Sequence, residues 1–134
     1  MVGPMKVTGF DHTRICVSDI DRSRAFYEGI LGLTVVDDNP MAVVFDANGT
    51  VLRVTLVGEL TTPPYTVLGW EVADIGAAID NLAADGIEFL RFAGMDQDEQ
   101  GAWTAPGGDL IAWFEDPDGN ILSLAQPARS PAPG

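Results

Sequence analysis

The sequence predicts an α+β domain built from two consecutive strand–helix–strands modules, and three observations carry that prediction. Val17-x-Asp19-Ile20 recurs as Val72-x-Asp74-Ile75, 55 positions later, and Leu31-Gly32-Leu33 is answered by Asp85-Gly86-Ile87, 54 positions later. Each repeat joins a stretch of alternating apolar residues to a stretch with apolar residues at helical spacing, so a strand leads into a helix both times. Turn signals at Asn48-Gly49 and Asp116-Pro-Asp-Gly119 then separate further strand-like runs in each half.

In order, residues 8–18 form the opening strand, with His12, Arg14 and Cys16 on one face and Thr13, Ile15 and Val17 on the other. Residues 21–31 form a helix whose apolar stripe is Ala25, Phe26, Ile30 and Leu31, stopped by Gly32. Strands follow at 33–37, 42–46 and 51–57. The loop Thr61-Thr-Pro-Pro-Tyr65 breaks the chain. A second series then runs as a strand at 67–73, a helix at 75–84, and strands at 87–92, 103–104, 110–115 and 121–125. The domain spans 1–126, with module one at about 8–58 and module two at about 66–126. Residues 127–134, rich in proline and poor in apolar groups, read as a flexible tail.

Bulk composition narrows the function classes. A 134-residue chain that is 46% hydrophobic can bury one real core. A net charge of −13 disfavours nucleic acid and anionic membrane as partners. It suits a cationic ligand, although a solubilising acidic surface explains the same number. Cys16 is the lone cysteine, so no internal disulfide is called for. The N-terminal residues carry no apolar signal core and no run reaches bilayer length, so the expected location is cytoplasmic.

With Asp11-His12, Val17-x-Asp19-Ile20, Ser23-x-x-Phe26-Tyr27-x-x-x-Leu31-Gly32, Glu71-Val72-x-Asp74-Ile75 and Asp116-Pro-Asp-Gly-Asn120-Ile-Leu-Ser-Leu124, the chain resembles the vicinal oxygen chelate superfamily of glyoxalases, bleomycin-resistance proteins and extradiol dioxygenases. The resemblance covers about 9–126. It implies paired βαβββ modules whose mixed sheets curl around a cavity, usually in a homodimer.

The resemblance also implies where a metal would sit. Members with metal chemistry place a His on the first strand, a His on the first strand of module two, a Glu on the last strand and, in glyoxalases, a carboxylate in module one. A divalent ion needs such converging N and O donors with open positions for substrate oxygens. His12 stands at the first position, but Val67 and Ser123 stand at the second and third, and Arg53 or Thr55 at the fourth. No metal or other cofactor is therefore expected, and a divalent ion would need the improvised set His12, Glu71 and Glu115.

Without a metal, alternation gives a cavity lined by His12, Arg14, Arg53, Thr55, Val67, Glu71, Trp113 and Ser123, with Trp103 as a further candidate for stacking on a planar or cationic group. Trp70 falls on the helix-facing side and is expected to fill core. The leading expectation is a metal-independent small-molecule-binding protein similar to the antibiotic-sequestering, bleomycin-resistance branch. The alternatives are a metal-dependent lyase or oxygenase with non-standard ligands, and a metal-free isomerase or cyclase using His12, with Glu71 or Arg53, as acid–base groups. The acidic segment 93–101 reads as a solvated loop, with a lid over the cavity mouth as its alternative.

Overall fold

The computed structural model describes residues 12–47 and 49–128. Two units divide between Leu60 and Thr61. In the first, β1 (His12–Val17) leads to α1 (Ile20–Arg24) and then to β2 (Thr34–Asn39), β3 (Ala42–Ala47) and β4 (Thr50–Leu56). In the second, β5 (Thr66–Glu71) leads to α2 (Ile75–Ala84), β6 (Trp103–Thr104), β7 (Leu110–Glu115) and β8 (Ile121–Gln126). The sheet orders are β1-β4-β3-β2 and β5-β8-β7-β6. In each sheet the first and last strands of the unit pair parallel and the remaining pairs are antiparallel. The expected pair of βαβββ modules is what the chain forms.

The Val-x-Asp-Ile repeat marks the same physical event twice. Asp19 caps α1 by accepting from the Arg22 backbone N–H at 3.0 Å, and Asp74 caps α2 by accepting from Ala77 N–H at 3.1 Å. Each carboxylate satisfies a donor that the first helical turn leaves without a partner. Gly32 and Gly86 then adopt φ of +78° and +91°, the left-handed conformation that ends a helix at low steric cost.

Alternation assigns the core correctly. Ile15, Val17, Val43, Phe45, Leu52 and Val54 are buried with Phe26 and Tyr27 of the helical segment. Ala112, Phe114, Leu122 and Leu124 are buried in the second unit, as are Ile75 and Ile79 of α2. Each large apolar side chain so buried contributes on the order of 1.5–3 kcal/mol. Trp70 pairs with Leu124 in register and therefore shares the helix-facing side.

Three expectations need correction. The helix at 21–31 is a five-residue α1 followed by a π-helical turn over Ala25–Ile30. Its buried residues are Ser23, Phe26 and Tyr27, while Ala25 is exposed. The wider turn brings two consecutive aromatics inward, with rings 5.0 Å apart and nearly perpendicular. Residues 87–92 are not a strand. Beside β7, β6 pairs with Leu110 and Ile111, and among the described residues only Leu90 N–H of this stretch reaches the ladder, at Trp113 C=O (2.8 Å). The apolar pattern there serves packing, as in the Phe89–Phe114 contact at 5.4 Å. Finally, a register shift between Thr66 and Leu68 breaks the alternation assumed for Val67. Thr66, not Val67, pairs with Ile121, because a bulge places two residues against one and resets the faces.

Some expectations fall outside the described residues: 8–11 of the first strand, Asn48 of the turn, and 129–134 of the tail. Ala128 is described, and its N–H donates to Asp109 Oδ1 at 2.6 Å. No described helix is long and apolar enough to cross a membrane.

Candidate functional site

In each unit, one sheet face meets the helix and the other carries most of the sequence-predicted site residues, Val67 at the bulge and the undescribed His12 side chain apart. On the first sheet, register places Arg14 beside Arg53, and Cys16 beside Thr55. Across β3, Arg53 pairs with Val44 and Thr55 with Ala42. His12 pairs with Val51 through its backbone, and its side chain lies outside the described structure. Arg14 is exposed, while Arg53 and Thr55 are half-buried.

On the second sheet, Ser123 lies between Gly69 and Trp113, and Ala125 between Glu71 and Ile111. Trp103 pairs with Ile111, which settles its face as that of Trp113. The two indole rings are 6.2 Å apart. A Cβ at Gly69 would sit 2.6 Å from Ser123 Oγ, so the absence of a side chain on β5 makes room for that hydroxyl.

A cavity of ≈ 260 Å³ opens within this unit, lined by Pro64, Tyr65, Thr66, Phe92, Met95, Trp113 and Ile121. Phe92 meets the Trp113 ring edge-on, with centroids 5.3 Å apart and planes at 88°. Tyr65 is 65% exposed and Phe92 36%, so large apolar groups stand at the surface beside the cavity. The volume lies below the roughly 300–1,000 Å³ of sites that enclose a whole drug-sized ligand. It fits a ring or a comparable group of a larger molecule.

The segment 93–101 is tied down. Gln97 accepts from Phe92 N–H (2.8 Å) and donates to the carbonyls of Leu90 (2.9 Å) and Gly101 (2.8 Å). Arg91 donates to the carbonyls of Asp98 and Glu99, both at 2.6 Å. Gln100 reaches α2 at Gly76 C=O (3.1 Å) and Asp80 Oδ1 (2.8 Å). These bonds fix the loop that supplies Met95 to the cavity.

Of the site residues predicted from sequence, only Trp113 lines this cavity, with Trp103 adjoining it. Tyr65, Thr66, Phe92, Met95 and Ile121 were not foreseen. Tyr65 and Met95 sit in loops without periodicity, and Phe92 was assigned to a strand. Of the set His12, Glu71 and Glu115, the registers hold the two glutamates apart, and the His12 side chain lies outside the described structure. Glu71 pairs with Ala125 and Glu115 with Ile121, four residues apart on β8, which is about 13 Å along the strand. Among the described residues no three His, Cys, Asp or Glu side chains gather in a metal-binding group.

Two βαβββ units, each with a mixed four-stranded sheet and one helix-covered face, define the glyoxalase type of fold. The sequence profile of the Glyoxalase/Bleomycin resistance protein/Dioxygenase superfamily matches residues 9–124, and the chain belongs to that family. The lactoylglutathione lyase of Salmonella typhimurium is 30% identical over 124 residues, covering 86% of this chain and 90% of that protein. The Escherichia coli O157:H7 lactoylglutathione lyase is equally similar. Among solved structures, a glyoxalase family protein from Bacillus anthracis superposes with a TM-score of 0.71 at 15% identity, over 92% of this chain and 98% of that one. Lactoylglutathione lyase from Agrobacterium tumefaciens superposes at 0.70 with 16% identity, over 90% and 95%.

Proposed function

We propose that this protein binds an organic small molecule through the aromatic cavity of its second unit and needs no metal ion to do so. The observation that carries the reading is the lining itself: Tyr65, Phe92, Met95, Trp113 and Ile121 offer ring faces and apolar contact, and the Thr66 hydroxyl, the Tyr65 phenol and the Trp113 indole N–H add its polar side-chain groups. The positions that the superfamily resemblance assigns to metal ligands do not fit a divalent ion. Val67 has no donor, Ser123 offers a neutral hydroxyl, and Arg53 brings a positive charge. Glu115, beside Ile121 in register, adds negative charge near the aromatic wall and favours a planar cationic ligand. Sequestration of such a molecule by a homodimer, as in the bleomycin-resistance branch, is part of this proposal.

The test is a titration of metal-stripped protein with a planar aromatic cation such as proflavine, read by tryptophan emission. Saturable quenching is expected, with affinity unchanged by added Zn²⁺ or Ni²⁺ and weakened roughly tenfold by Trp113→Leu. Binding only after metal addition, or binding indifferent to Trp113→Leu, would overturn the proposal. The likeness to lactoylglutathione lyases favours a second reading, a lyase with its own ligand set. Retention of about one divalent ion per chain together with turnover would establish that one instead.

A further inference from the structure

The first unit carries a second recognition feature, independent of the aromatic cavity. The sequence has twenty acidic residues against seven Lys and Arg. Lys6 and Arg129 lie outside the described residues, which leaves Arg14, Arg22, Arg24, Arg53 and Arg91. Three of these are held. Arg22 donates to Ser18 Oγ, Arg24 bridges Glu28 and Asp38, and Arg91 grips two loop carbonyls. The other two, Arg14 and Arg53, make no hydrogen bond or ion pair among the described residues, and they are register partners on adjacent strands.

That placement is costly without a ligand. Like charges side by side in a sheet repel and destabilise it, and this chain has acidic residues in excess to neutralise them. Asp46 of β3 shares the face of Arg53, but its Oδ1 accepts from Gly49 N–H at 2.9 Å and it makes no ion pair with Arg53 among the described residues. Val44 is its antiparallel partner and is 5% exposed, while Thr55 and Cys16 form the next row on the same face. Two guanidinium forks on strands about 4.8 Å apart can each donate to a different oxygen of one phosphate or carboxylate. A threonine hydroxyl one row along supplies a further donor.

We propose that Arg14 and Arg53 form an oxyanion site on the helix-free face of the first sheet, for the phosphate or carboxylate group of a small metabolite. Its occupant carries charge opposite to that favoured at the cavity of the second unit.

The experiment measures the unfolding midpoint of the full chain in sodium phosphate and in sodium acetate, each against sodium chloride of equal ionic strength. All three tryptophans lie in the second unit, so a midpoint shift that appears without quenching separates this site from the aromatic one. A stabilisation specific to one of the two oxyanions is expected, and which anion produces it identifies the source. Arg14→Gln and Arg53→Gln should each weaken it roughly tenfold or more, and Arg53→Lys should weaken it less. Without oxyanion, both Gln variants should melt at or above the wild-type midpoint, because repulsion is relieved. No oxyanion-specific shift, or a shift that both Gln variants retain, would overturn the proposal. So would Gln variants that melt below wild type in chloride, since that marks the arginines as structural. Arg14 is exposed, so its variant gives a readable result even if Arg53→Gln does not fold.

Discussion

The two units share one topology and differ in what they do with it. Their last hairpins show this most plainly. Asp46 and Gly49 close β3–β4, and Asp116 and Gly119 close β7–β8, with both glycines at φ of +90°. Asp46 is exposed and accepts one described bond, from Gly49 N–H at 2.9 Å. Asp116 is 4% exposed. It accepts from the backbone of Asp118 and Asn120 and from the Asn120 amide, each at 2.9 Å, while Gly119 N–H donates to its carbonyl at 3.0 Å. The same turn is thus a solvated bend in one unit and a buried polar clamp in the other. A repeated backbone fixes where strands end, and burial decides how much energy rests on the turn.

The largest effect should come from breaking that clamp. Asp116→Ala removes the acceptor of three hydrogen bonds, from the Asn120 amide and two backbone N–H groups in a buried turn, and should cost about 2–4 kcal/mol in urea unfolding. Asp46→Ala should cost under about 1 kcal/mol, since water can replace its exposed bond. Equal costs would mean that burial is not what separates the two turns.

The second difference lies between helix and second strand. The first unit passes from its π-helical turn to β2 in three residues, Leu31-Gly32-Leu33, whereas the second spends residues 85–102 between α2 and β6. That added segment provides Phe92 and Met95 to the cavity, and Gln97 pins it with three hydrogen bonds. Gln97→Ala should cost about 1–3 kcal/mol and weaken binding of the aromatic probe. The oxyanion shift assigned to Arg14 and Arg53 should survive. Loss of both signals together would show that the two sites do not act separately.

This contrast also explains what could be read from the sequence. The capping aspartates, glycine stops and alternating core residues are local signals, and they located α2 and most strands to within a residue or two. Residues 87–92 are apolar and aromatic enough to read as a strand, but whether a neighbour offers free ladder groups is a tertiary fact, and β6 already occupies half of that edge. The bulge at Val67 leaves no mark in composition, so the face assignment at the start of β5 slipped by one. The cavity was harder still. Tyr65 and Met95 reach it from loops whose paths depend on Gln97 and Arg91 finding backbone carbonyls. By contrast, the positions of Arg14 and Arg53 follow from alternation within regular strands, although only the structure shows them to be register partners.

The smallest test makes one unit more like the other. Ser23 of α1 and Ala78 of α2 stand at equivalent positions, four residues after the capping aspartates, and each backbone N–H donates to the carbonyl of its cap. Ser23 is fully buried, and its hydroxyl has no partner among the described residues. A buried hydroxyl without a hydrogen bond gives up its hydration for nothing, and alanine has the higher helix propensity. Ser23→Ala should therefore stabilise the chain by about 1 kcal/mol, read as a higher urea midpoint with an unchanged slope. A loss of similar size would mean that the hydroxyl is bonded, with a bound water beside the π-helical turn as the place to look. Ala78→Ser supplies the reverse comparison. Ala78 is only partly buried, so a new hydroxyl there can keep its water, and the cost should stay under about 1 kcal/mol, mostly helix propensity.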